Sequence, residues 1–165
     1  MISETRLKKI KKIMLPVDGS ATSMKAARIG INLSMKFRSD LIGLTVIDLM
    51  SLPYGYFLTQ PGTRSHDNIL EEKRTEAKKW LNEIEKSMLE AAVGEPQAIK
   101  VKFRSEIIED PFSRVESAII NYAEREDVDL IVMGTRGRSG FKRILLGGVA
   151  SGVLSYAHCP VMTVR

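Results

Sequence analysis

The sequence predicts an α/β fold: an open, doubly wound sheet of five mainly parallel strands with helices on both faces. Three observations predict it. Short apolar runs without polar alternation, Ile13 to Val17, Leu41 to Ile47 and Leu130 to Met133, read as strands buried on both sides. Segments of helical periodicity separate them, as in repeated strand–helix units. Two runs end in glycine-bearing loops, Asp18-Gly19-Ser20 and Gly134 onward, as strands do at the rim of a parallel sheet.

The elements follow in order. After the first strand, Met24, Ala27, Ile31 and Met35 recur at helical spacing and predict a helix from Thr22 to Phe37. Leu41 to Ile47 is the second strand. Asp48 to about Arg64 holds Pro53, Gly55, Pro61 and Gly62 and predicts a long loop. A long amphipathic helix comes next, with Leu70, Ala77, Leu81, Ile84, Met88 and Ala91 on one face and Trp80 at its border. Gly94 and Pro96 end it.

The third strand differs from the others. Ile99, Val101 and Phe103 alternate with Lys100, Lys102 and Arg104, so one face is wet and the strand belongs at a border of the sheet. Asp110-Pro111 predicts a helix start, with Asp as N-cap and Pro at the first helical position. Phe112, Val115, Ile119 and Tyr122 are expected to form its core stripe. After Leu130 to Met133, a glycine-rich stretch leads to about Gly148, a short helix to about Ala157, and a last strand from Pro160 to Val164. With no internal repeat or composition break, residues 1–165 are expected to form one domain.

Bulk composition narrows the function. A chain of 165 residues with 44% hydrophobic and 27% charged residues is ordinary for a globular domain, not for a fibre or a disordered chain. One cysteine, Cys159, excludes an internal disulfide, and with only His66 and His158 a Cys/His metal site is not expected. No run reaches the ~20 apolar residues of a membrane span, and the basic N-terminus lacks the apolar core of a signal peptide. A cytoplasmic location is expected.

The net charge of +5 favours anionic partners. Basic residues cluster at Lys8, Lys9, Lys11 and Lys12, and again at Arg136, Arg138, Lys142 and Arg143. Aromatic and basic residues are not interleaved, which argues against a nucleic-acid surface.

The second basic cluster sits among glycines. Glycines let a backbone approach a phosphate closely and turn N–H groups towards it. The helix opening near Gly147 adds free N–H groups and a positive dipole end. Arg136 and Arg138 supply paired donors. Glycine content alone would favour a surface turn with solvated arginines.

The spacing Gly134-x2-Gly137-x9-Gly147 resembles the nucleotide-binding signature of the universal stress protein family, G-x2-G-x9-G followed by Ser or Thr. The segments KIMLPVDGS, LTVID, DLIVMGTRGRSG and AHCPVMTVR resemble that family's first, second, fourth and last strands, in order. Only Ser51 to about Gln97 carries no likeness.

The resemblance implies a Rossmann-like, adenine nucleotide alpha hydrolase-like fold with strand order 3-2-1-4-5. It implies ATP as ligand, with Mg2+ or Mn2+ held by the phosphates. Pro16, Val17 and Asp18 would lie by the nucleoside, with the Val46 backbone at the adenine edge. Met133 and Gly134 would line the ribose. Gly137, Gly147, Gly148 and Val149 would wrap the phosphates, and Arg136 would reach them. It also implies a homodimer paired through the last strand, and a regulatory role read by a protein partner.

One position departs from the pattern: Gly148 replaces the hydroxyl residue after the last signature glycine. Losing a hydrogen bond to a charged group, about 1.5–3 kcal/mol, would weaken phosphate binding about tenfold to a hundredfold. An interaction module without nucleotide is therefore one alternative. A slow ATPase is another, with Asp18 as the only candidate base. There is no G-x4-G-K-[ST] and no G-x-G-x-x-G after the first strand. Ser20 lacks a nucleophile-elbow context and reads as helix-start chemistry.

Overall fold

The computed structural model describes residues 9–49, 64–93, 101–136 and 146–165. Five strands are present among them: β1 Lys12–Pro16, β2 Asp40–Ile47, β3 Phe103–Glu109, β4 Leu130–Gly134 and β5 Val161–Val164. Four helices alternate with the strands: α1 Ala21–Phe37, α2 Arg64–Ala92, α3 Val115–Arg125 and α4 Gly148–Tyr156. The strands form one sheet in the order β3-β2-β1-β4-β5. Every pairing is parallel. This is the doubly wound α/β fold and the strand order expected from the sequence. No helix of the described residues is long and apolar enough to cross a membrane.

Strand periodicity divides the core. Ile13, Leu15 and Val17 face α1 and α2, where they pack with Ala27, Ile31, Leu81 and Ile84. Met14 faces the other way, into a cluster with Ile131, Met133, Ile119, Tyr122 and Val153 from β4, α3 and α4. Both faces of β1 are thus covered, which is why its sequence is apolar throughout. Each such buried side chain contributes about 1.5–3 kcal/mol of hydrophobic stabilisation.

The sheet reverses direction of winding between β1 and β4. β2 and β3 lie to one side of β1, β4 and β5 to the other. The carboxyl ends of β1 and β4 therefore open next to each other at a topological switch point, where open α/β sheets bind ligands.

Several expected boundaries are corrected. β3 lies at the sheet border, but it spans Phe103–Glu109 rather than residues 99 to 104. Its ladder runs opposite Leu41–Ile47, so the length of β2 sets it. The polar Ser105 and Glu106 are carried by that pairing against their weak strand preference. Lys102 meets β2 only at the entry to the ladder, where its carbonyl accepts from the Leu41 N–H at 2.8 Å.

The third helix starts at Val115, not at Asp110-Pro111. The Asp110 carboxylate accepts the Phe112 N–H at 2.8 Å and so closes a local turn instead of capping a helix. Bonds from the Ser113 side chain and from that N–H hold its carboxyl below the usual value. Phe112, expected in the core stripe, is 95% exposed because it belongs to this turn. On α2, Ala77, Leu81, Ile84 and Met88 are buried as expected, whereas Ala91 is exposed near the helix end. Most of the long loop expected after Asp48, with Gly94 and Pro96, lies outside the described residues.

Candidate functional site

A cleft of about 160 Å³ opens at the switch point. Its floor and walls come from the carboxyl ends of β1, β2 and β4 and from the facing sides of α3 and α4.

The β1 side is built on a tight turn. Asp18 Oδ1 accepts the Ser20 N–H at 3.0 Å and the Ser20 hydroxyl at 2.6 Å. Gly19 between them has φ +77°, in the left-handed region that favours glycine. A Cβ there would also sit 2.2 Å from the indole of Trp80, so α2 packs directly on the turn. Ser20 then caps α1, its Oγ accepting the Ser23 N–H at 3.3 Å.

The same few residues hold the β4 side. Thr22 Oγ1 donates to the Arg136 carbonyl at 2.6 Å, and Ser20 Oγ lies 3.2 Å from that oxygen. Gly134 permits this approach: a Cβ would lie 2.7 Å from the Ser23 nitrogen and 2.8 Å from the Thr22 carbonyl carbon. The two strand ends are thus braced together by hydroxyls from the first turn of α1. Arg136 lines the cleft and is exposed.

The α4 side is a helix N-terminus. Gly147 is its N-cap and brings no side-chain acceptor. The Gly147 N–H donates to the Thr135 carbonyl at 2.7 Å, which ties α4 to the end of β4. The following N–H groups have no partner within the helix and carry its positive dipole end. A Cβ on Gly148 would meet no heavy atom within 4 Å, so the missing hydroxyl is not a matter of space.

Much of the remaining lining is apolar: Leu44 and Val46 of β2, Val115 and Ile119 of α3, and Met133 of β4. The cleft therefore combines an apolar part suited to a flat ring with polar groups suited to an anion. Asp18 is the only carboxylate among its described lining residues. Among the described residues no three His, Cys, Asp or Glu side chains come together as a metal site.

The match to known proteins follows the same outline. The family model described as "Universal stress protein family" matches residues 9–165. The chain belongs to the universal stress protein family. Universal stress protein MJ0531 of Methanocaldococcus jannaschii is 35% identical over 155 residues, 94% of this chain and 82% of the relative. Among solved structures, universal stress protein UspA from Lactobacillus plantarum matches with TM-score 0.73 at 23% identity, over 95% of this chain and 99% of that one. The universal stress protein from Archaeoglobus fulgidus in complex with dAMP matches with TM-score 0.61 at 16% identity, over 95% and 99%. The last two likenesses establish the fold.

In this universal stress protein, Pro16, Val17, Asp18, Val46, Met133, Gly134, Arg136, Gly147, Gly148 and Val149 all line the one cleft. Gly137, Arg138, Lys142 and Arg143 lie outside the described residues. Leu44, Val115, Ile119 and Thr135 also line it and escaped the sequence reading as site residues. Leu44 was within reach, since it is two residues before Val46 and so shares its strand face. His158 takes no part; its Nε2 lies 3.1 Å from the Val128 carbonyl.

Proposed function

We propose that the cleft binds an adenine nucleotide, ATP with Mg2+ or Mn2+ held by its phosphates, and that the protein is a non-catalytic regulator. The observation that carries this reading is the convergence on one cleft of the Asp18 turn, the N-terminus of α4 without a side-chain cap, and exposed Arg136. The apolar part would take the adenine, with the Val46 backbone at its edge. Asp18 and Gly134 would flank the ribose, and the α4 amides and Arg136 would take the phosphates. A relative of the same fold has been solved with dAMP. A single carboxylate at the described lining gives no acid–base pair and no metal-binding pair, which supports binding over turnover.

Isothermal titration of nucleotide-free protein with Mg-ATP tests the reading, with GTP as control. Arg136→Ala should weaken ATP about tenfold to a hundredfold by removing a charge-assisted bond. Unchanged affinity in both Arg136→Ala and Gly137→Val would refute the site. Gly148 favours a second reading, an interaction module that takes no nucleotide; absence of any ATP heat would support it.

The assembly we propose is a homodimer through β5. This strand is at the sheet edge, paired to β4 on one side, and Met162 on it is 39% exposed. An unpaired edge is a liability that a second copy removes. Sedimentation as a monomer at micromolar concentration would contradict it.

A further inference from the structure

Two buried hydroxyls among the described residues have no hydrogen-bond partner, Thr45 Oγ1 and Thr135 Oγ1. Of the two, Thr135 lines the cleft. It is 4% exposed and lies between Gly134 and Arg136, at the end of β4. Its backbone is fully engaged. The Thr135 N–H donates to the Val164 carbonyl at 2.8 Å, and its carbonyl accepts from Gly147 at 2.7 Å. The side chain is thereby held beside the N-terminus of α4, where negative charge is favoured.

A buried hydroxyl without a partner is unfavourable, whereas an apolar group of the same shape would be neutral or better. For the ligand-free protein, valine would suit this position more than threonine does. The hydroxyl becomes an advantage once something in the cleft pairs with it. A change of χ1 moves the threonine hydroxyl to another staggered position without moving the backbone.

We propose that Thr135 is a ligand-binding residue whose hydroxyl donates to a phosphate oxygen of the bound nucleotide. It supplies, from the end of β4, the hydroxyl that Gly148 lacks at the start of α4. This inference rests on the nucleotide reading of the same cleft.

The test compares wild type with Thr135→Val, Thr135→Ser and Thr45→Val. Each is titrated with Mg-ATP and with adenosine and melted without ligand. Thr135→Val should raise the ligand-free melting temperature and weaken Mg-ATP about tenfold to a hundredfold. Its adenosine affinity should stay at the wild-type value. Thr135→Ser should keep ATP binding within about threefold, since the donor remains. Thr45→Val should raise the melting temperature and leave ATP affinity alone, because Thr45 is buried away from the cleft. If Thr135→Val does not fold, Thr135→Ala carries the same comparison.

Wild-type ATP affinity in Thr135→Val would overturn the Thr135 assignment while leaving nucleotide binding in place. Equal weakening of ATP and adenosine would overturn it as a phosphate contact. Failure of wild type to bind either ligand would remove the nucleotide reading and this contact with it.

Discussion

Gly148→Ser isolates the one departure from the family signature. Gly148 is the first residue of α4. The new Cβ would enter open space, since no heavy atom lies within 4 Å of its position. Two effects are expected and they separate. Serine is favoured over glycine in a helix by up to about 0.5 kcal/mol. At about 2–4 °C per kcal/mol for a chain of this size, the ligand-free protein should melt about 1–2 °C higher. A hydroxyl on a charged phosphate oxygen adds about 1.5–3 kcal/mol, so Mg-ATP should bind about tenfold to a hundredfold tighter. Calorimetric titration beside ligand-free melts reads both. A raised melting temperature with unchanged ATP affinity would refute the placement of phosphate at the α4 N-terminus. A loss of affinity would mean that the ligand needs the bare backbone at this position.

Three further outcomes follow from the geometry. Gly134→Ala puts a Cβ 2.7 Å from the Ser23 nitrogen, a backbone atom with little room to give. Urea unfolding should show a loss of about 1–3 kcal/mol, and a neutral result would mean that the β4 end and α1 part freely. Ser20→Ala removes the α1 cap and a brace near Arg136, and should cost about 1 kcal/mol by the same measurement; an unchanged midpoint would contradict that role. Glu126 is held below its ordinary 4.5 by its bond to Arg104. A depressed carboxylate stabilises above the unfolded value, and that contribution is lost as pH falls through the folded one. Melts between about pH 6 and pH 3 should therefore fall less steeply in Glu126→Gln than in wild type; parallel acid limbs would contradict the pairing.

The parts of the fold legible in the sequence were those governed by burial on both faces. β1, β2 and β4 carry apolar side chains facing α1 and α2 as well as α3 and α4, so their runs stand out from their neighbours. The border position of β3 was legible in Lys100 and Lys102 ahead of it and Arg104 within it, but its bounds are set by β2 across the ladder, and no residue within β3 records that. Phe112 misled because its spacing to Val115, Ile119 and Tyr122 fits a helix, while the Asp110 side chain had already turned the chain.

The cleft was legible where glycines and an aspartate end strands, since those residues serve local conformation. The apolar wall from α3 was not, because Val115 and Ile119 look like any core stripe until the helix is docked. The unpaired hydroxyl of Thr135 was invisible for a stronger reason: whether a donor is satisfied is a property of its tertiary surroundings alone.

The most direct measurement of the central claim is a crystal structure of this protein grown from nucleotide-free material with saturating Mg-ATP. The account predicts adenine between Val46 and the α3 wall, and phosphates on the α4 amides within reach of Arg136. A nucleotide seated elsewhere, or an empty cleft at saturating ATP, would contradict it.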